Sequence, residues 1–164
     1  MIFSPHIIIG AAIGAKTQNL GLIIILGLLN HFIMDKLPHW DYSVIPDIKN
    51  FRQTKSIKLL IPLILKSTID VIFGLLIVLL LVWQKDIFDY LFFIIAGIFF
   101  SLLPDAVGAL IFIFGNNNLF NKFSILLRRF FHYPRNKEKE GEITFLGLFT
   151  QIVLILIAIS SFFF

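Results

Sequence analysis

The residues best suited to chemistry lie in one short stretch, residues 30–42. His31 and Asp35 are four apart, so on a helix their side chains project from the same face. A proline ends that helix and places His39 and Asp41 on a turn that can fold back over the helix end. Two imidazoles and two carboxylates so close together suit Zn²⁺ or Mn²⁺. The simpler interpretation is that the helical pair interacts internally and that the other two residues are solvated.

The composition indicates the environment of this stretch. The 164 residues are 58% hydrophobic, with a mean hydropathy of +0.92, whereas soluble domains are about 45–50% apolar. We therefore predict a single integral membrane domain over residues 1–164. The net charge of +4 is diluted by apolar sequence. We expect no nucleic-acid partner, since basic loops beside membrane spans suit anionic lipid. There is no cysteine, which excludes thiolate ligands and a cysteine nucleophile.

The apolar runs predict an all-α polytopic membrane helical bundle. It consists of a short N-terminal helical hairpin, two long spans, an interfacial amphipathic helix and a C-terminal span. The predicted helices cover residues 4–16, 20–36, 57–84, 87–114, 119–133 and 145–164. Basic residues concentrate in the polar connections 43–58 and 115–142. The positive-inside rule therefore places both connections in the cytoplasm.

The N-terminal hairpin is expected to bring a third histidine to the site. Ser4 can cap the first helix, and residues 10–14 form a G-x-x-x-G step that lets membrane helices approach closely. Counting outward from a turn near residues 17–18 places His6 level with residues 29–31, and so beside His31. We therefore expect the glycine face of the first helix to pack against the ligand face of the second.

Two further carboxylates interrupt the long apolar spans. Asp70 lies in the first span and Asp105 in the second, where residues 104–106 should break the helix. Ionisable groups inside a membrane are costly and commonly functional. In an antiparallel hairpin of the two spans they fall at similar depth, which favours a joint role. One alternative is an ion pair of Asp70 with Lys66 on the same helix face. Another is that Asp105 caps a helix that restarts after the break.

Three segments together resemble a known family. They are Pro-His-Ile-Ile-Ile-Gly (5–10), His-Phe-x-x-Asp-x-x-Pro-His-Trp-Asp (31–41) and Gly-x-x-x-Ser-Leu-Leu-Pro-Asp (97–105). In these segments the chain resembles bacterial inner-membrane proteins known as membrane-bound metal-dependent hydrolases. More distantly, it is similar in motif to zinc-dependent phospholipases C. The resemblance implies a bacterial-type cytoplasmic (inner) membrane, metal binding, and hydrolysis of a phosphoester or related bond. The metal ligands that it implies are His6, His31, Asp35 and Asp105.

The residues and the resemblance together predict a metal-dependent hydrolase with its site at the cytoplasmic membrane face. The expected ligands are His6, His31 and Asp35, completed by Asp105 or His39. The metal would be Zn²⁺, with Mn²⁺ as the alternative, and would acidify water and polarise the scissile group. Asp41 or Asp70 would act as general base or orient a ligand histidine. A site at this depth suggests membrane lipid as partner and a lipid or lipid-linked phosphoester as substrate.

Two alternatives use the same groups without catalysis. Buried aspartates and histidines also form metal or proton paths in transporters, although five or so spans leave little room for one unless the chain forms a homo-oligomer. The groups could also hold helices together in a structural scaffold. His132, which lies beside two arginines, fits contact with lipid head groups better than metal binding and is only a weak candidate.

Overall fold

A computed structural model of the chain describes residues 2–41, 51, 53–54, 56–114 and 143–163. These residues form five long α-helices and no β-strand, which confirms the all-α prediction for this part of the chain. The helices are α1 (Phe3–Thr17), α2 (Leu20–Lys36), α3 (Ile61–Lys85), α4 (Leu91–Phe114) and α5 (Phe145–Ser161). Short 3₁₀ helices lead into α3 and α4. The predicted interfacial helix over residues 119–133 lies outside the described residues.

Two stretches are long and apolar enough to cross a membrane, Ile61–Lys85 and Phe88–Ile111. The core helix of a soluble protein can be as apolar, but it is mostly buried. Here only 11% and 17% of the most apolar windows are buried. Exposed apolar side chains on this scale favour contact with lipid over contact with water. α5 is a shorter apolar helix of 17 residues.

α1 lies at the centre of the bundle and contacts each of the other four helices. Ten of its 15 residues are buried, and five of those ten are alanine or glycine. Such small side chains let neighbouring backbones come close, so a short helix can be surrounded on all sides. The core around it includes Ile7, Ile8, Ala11, Val78, Val82 and Ile94.

The glycines of α1 pack against α4, and the prediction that they face α2 was wrong. A Cβ on Gly14 would lie 2.1 Å from the carbonyl oxygen of Phe93, and one on Gly10 would lie 2.6 Å from that of Gly97. Gly27 of α2 also faces α4, where an added Cβ would lie 3.1 Å from the Cβ of Phe100. α1 and α2 therefore both lie against α4. The prediction considered only the neighbour in sequence, whereas Gly97 offers a matching glycine surface from far along the chain.

α4 continues through Pro104, so the predicted break at residues 104–106 was also wrong. Proline removes one helical hydrogen bond and crowds the preceding turn. Long apolar helices tolerate this where neighbouring helices support the backbone. Asp105 therefore does not cap a restarted helix. Its side chain projects from the interior of a continuous one.

Candidate metal site

Four side chains from three helices meet beside the start of α1. His6 comes from α1, His31 and Asp35 from α2, and Asp105 from α4. Nε2 of His6 lies 3.3 Å from Oδ1 of Asp35, and Nε2 of His31 lies 3.3 Å from Oδ2 of the same carboxylate. Nε2 of His31 also lies 3.7 Å from Oδ1 of Asp105. As the hairpin count predicts, the two imidazoles are neighbours, with ring centroids 4.5 Å apart.

The local sequence explains how α4 reaches this cluster. Gly97, Ser101 and Asp105 follow one another at intervals of four, so they lie along one face of α4. Gly97 admits the backbone of α1, and a Cβ on Gly27 of α2 would lie 3.4 Å from the backbone nitrogen of Ser101. Asp105 then projects from the same face one turn further on. The close glycine contacts therefore bring three ligand-bearing helices together.

Burial differs sharply within the cluster. His6 and Asp35 are completely buried and His31 is 1% exposed, whereas the side chain of Asp105 is 22% exposed. Buried ionisable groups are stable only when their charges and hydrogen-bonding atoms are matched. Among these four side chains, that of Asp105 has the most exposed surface.

The orientation of His31 follows from its contact with the backbone of α4. Its Nδ1 lies 2.8 Å from the carbonyl oxygen of Ser101. A carbonyl only accepts hydrogen bonds, so Nδ1 carries the hydrogen. In the neutral imidazole, Nε2 then presents a lone pair toward Asp35 and Asp105. Two carboxylates facing a lone pair repel it unless a proton or a cation lies between them. A backbone carbonyl that fixes the far nitrogen is the usual second contact of a metal-binding histidine.

The ring nitrogens of His6 are the second unusual feature of the cluster. His6 is fully buried, and neither of its ring nitrogens has a hydrogen-bond partner in the part of the chain that the structure describes. Buried polar atoms almost always have partners, so such a pair of nitrogens calls for an explanation. A cation beside Nε2 would explain that nitrogen, because it would bind the lone pair directly, but it would not supply a partner for Nδ1.

The distances in the cluster are compatible with metal ligation. Hydrogen bonds between N–H and oxygen centre near 2.9 Å. Two ligands bound at about 2.1 Å in tetrahedral geometry are about 3.4 Å apart, and in octahedral geometry about 3.0 Å apart. The observed separations are 3.3, 3.3 and 3.7 Å. Ligand atoms of His6, His31 and Asp105 all lie within 4.8 Å of one another, so this group could hold a metal ion. Asp35, a predicted ligand, is not in this group, although its carboxylate contacts both of the histidines.

Asp70, a predicted general base or orienting group, contacts the start of α1. Its carboxylate accepts hydrogen bonds from the backbone N–H of Phe3, from that of Ser4 at 3.3 Å, and from the Ser4 hydroxyl. α1 begins at Phe3, so Ser4 lies inside its first turn and is not the cap that the sequence predicted. Within the described ranges, no ion pair joins Asp70 to the exposed Lys66, and Asp70 is not in the metal-capable group.

His39 and Asp41 follow α2, and the structure does not include either in the metal-capable group found among the described residues. His39 is 5% exposed, and its Nδ1 lies 2.8 Å from the carbonyl oxygen of Leu37. Burial lowers the pKa of His39 to about 4. Asp41 is half-buried and is the last residue described before the next gap. His132 lies outside the described residues.

Ser101 is the site residue that the sequence analysis missed. Its carbonyl orients His31, and its hydroxyl is buried without a hydrogen-bond partner among the residues described. The four-residue spacing from Gly97 through Ser101 to Asp105 was the available signal.

Comparison with protein-family models, with curated proteins and with solved structures finds no match. The resemblance to membrane-bound metal-dependent hydrolases is therefore still a hypothesis.

Proposed function

We propose that this chain is a membrane-embedded metal-dependent hydrolase that acts on a lipid or lipid-linked phosphoester in a bacterial-type inner membrane. The observation that carries the proposal is the buried two-histidine, two-carboxylate cluster inside a bundle of apolar helices. In this proposal the metal ligands are His6, His31, Asp35 and Asp105. Two imidazoles with carboxylates suit Zn²⁺ in the first place and Mn²⁺ in the second.

The ligand groups have distinct tasks in this proposal. A divalent ion supplies Lewis acidity to the scissile group and acidifies the attacking water. His31 is held in one tautomer by the Ser101 carbonyl, so its Nε2 is ready to bind without rearrangement. Asp105 is the most exposed of the four groups, so in this proposal the substrate approaches beside it.

The depth of the site supports an amphiphilic substrate. α3 begins nine residues before Asp70, the residue that meets the start of α1, and α4 continues for nine residues beyond Asp105. At 1.5 Å per residue, α3 extends about 14 Å before Asp70 and α4 extends about 14 Å beyond Asp105. These extensions carry exposed apolar side chains, among them Ile61, Ile64, Leu65, Ile69, Val107 and Leu110. If the long helices span a hydrocarbon core of about 30 Å, a substrate must enter apolar surroundings to reach the metal.

The charge of the chain supports an anionic head group. The polar connections 43–58 and 115–142 carry most of the cations in the sequence. In this proposal the positive-inside rule places both connections on one side of the membrane. That side is the one where α1 starts, because α2 ends there, with Asp35 beside His6. Lysine and arginine on that side attract anionic lipid toward the site.

The experiment is a hydrolysis assay on detergent-purified protein loaded with Zn²⁺ or Mn²⁺. The substrates are phosphatidylglycerol and phosphatidic acid in mixed micelles, compared with water-soluble p-nitrophenyl phosphate. The variants are His31→Ala and Asp105→Asn, with Asp89→Asn in the exposed turn before α4 as the matched control. We expect metal-dependent turnover of lipid over the soluble ester, lost in the two site variants and kept in the control. Metal that binds stoichiometrically without turnover of any of these phosphoesters would contradict the proposal and favour a metal or proton path.

A further inference from the structure

The carboxylate of Asp70 supplies the cap that α1 lacks in its own sequence. The first N–H groups of a helix have no partner within the helix and carry partial positive charge. The residue before α1, Ile2, has no side chain that could accept from them. Asp70 instead reaches from the middle of α3 to the backbone N–H groups of Phe3 and Ser4 and to the Ser4 hydroxyl. An ionised carboxylate is the strongest cap available to such groups.

A second contact fixes the same two helices against each other. Gly74 lies one turn after Asp70 on α3 and is buried. A Cβ on Gly74 would lie 3.0 Å from the Cα of Ser4 and 3.1 Å from Cδ1 of Ile7. The carboxylate therefore holds α1 along its axis, while the glycine sets how closely α3 approaches.

The ligand histidine lies directly beyond these contacts. His6 is one turn from Phe3, so a shift of α1 along its axis displaces the imidazole by the same amount. Its Nε2 lies 3.3 Å from Asp35, and metal ligands must be held within about 0.5 Å of their working geometry. We infer that Asp70 is a positioning residue, which caps α1 from α3 and thereby sets the height of His6 in the metal site. This inference rests on the metal site of the proposed function.

The test compares the full-length protein with Asp70→Ala, in detergent, by two independent measurements. Hydrogen exchange of the peptide containing residues 3–10 reports on the start of α1 whether or not metal is bound. Titration with Co²⁺, followed by its visible absorption, reports affinity and coordination geometry. Asp89→Ala is the matched control, and Asp70→Asn, which keeps one acceptor oxygen, is the conservative variant. If the alanine variant does not fold, the asparagine variant takes its place.

We expect faster exchange at the start of α1 and a 10–100-fold weaker Co²⁺ affinity in Asp70→Ala, the range for partners that orient a metal ligand. The Co²⁺ spectrum should also change, which a general loss of stability would not cause. Asp70→Asn should lie between the parent and the alanine variant. Unchanged exchange would overturn the inference, and so would faster exchange with an unchanged Co²⁺ affinity and spectrum. If the parent binds no Co²⁺, the metal site of the proposed function fails, and the inference that depends on it is overturned with it.

Discussion

Replacement of Gly97 by alanine tests the backbone contact between α1 and α4, two of the three ligand-bearing helices. The added Cβ would lie 2.0 Å from the carbonyl oxygen of Gly10 and 3.1 Å from the backbone nitrogen of Gly14. Ordinary van der Waals contact begins near 3.4 Å, so the helices must separate by about 1.4 Å at this point. Both neighbours are backbone atoms, which no rotamer change can move away.

This separation should lower the free energy of unfolding. Overpacking a core costs about 1–3 kcal/mol, and a clash between two backbones lies at or beyond the upper end. A loss of about 3 kcal/mol corresponds to a fall of about 6–12 °C in the midpoint of thermal unfolding for a chain of this size. Because His6 and Asp105 sit on the two helices that move apart, metal affinity should fall as well.

Gly108 supplies the matched control on the same helix. A Cβ there meets nothing within 4 Å in the described part of the chain. Gly108→Ala should leave stability unchanged or raise it by up to about 1 kcal/mol, the helix propensity gain. The assay is thermal unfolding in detergent, followed by circular dichroism at 222 nm. Equal midpoints for Gly97→Ala and Gly108→Ala would refute the proposed helix contact.

Three further predictions concern α5, the turn after α2 and the metal. Gln151 is 3% exposed, and its Nε2 donates a hydrogen bond to the Trp40 carbonyl at 2.7 Å. Gln151→Leu should therefore lower the free energy of unfolding by about 1–3 kcal/mol. A loss no larger than that in Ser160→Ala, at an exposed position, would contradict this contact. Burial lowers the pKa of His39 from 6.5 to about 4, so as the pH is lowered the unfolded chain binds the proton before the folded chain does. The free energy of unfolding should therefore be highest above pH 6.5 and fall as the pH is lowered toward 4. If His39→Gln shows the same pH dependence, His39 is not its cause. Zn²⁺ at 100 times its dissociation constant should raise the free energy of unfolding of the parent by about 2.7 kcal/mol, and a chelator should remove this gain. An equal gain in His31→Ala would mean that the metal binds elsewhere.

Contacts that depend only on local helix geometry could be predicted from the sequence. His31 and Asp35 share a helix face because the helical period sets the direction of their side chains. The tight turn between α1 and α2 then fixes the height of His6, so the meeting of the two histidines could be predicted by counting. Both steps depend only on helix geometry and on a connection of two residues.

The sequence was insufficient where a contact joins distant elements. Gly10 and Gly14 carry a packing surface, but nothing in their own segment identifies α4 as the partner. From the sequence, Asp70 could pair with Lys66 or with another helix. In the structure it accepts from the backbone N–H groups of Phe3 and Ser4 at the start of α1. Proline lacks an N–H and crowds the preceding turn, so Pro104 predicts a break in the helix. The helices packed against α4 allow it to continue through this residue.

The measurement that tests the central claim most directly is the metal content of the purified protein. Elemental analysis would compare the parent with a variant carrying His31→Ala and Asp35→Ala, and with Asp89→Ala as the control. We expect stoichiometric Zn or Mn in the parent and in the control, and none in the double variant. No metal in the parent, even after reloading with Zn²⁺ or Mn²⁺, would contradict the metal site and with it the proposed hydrolase.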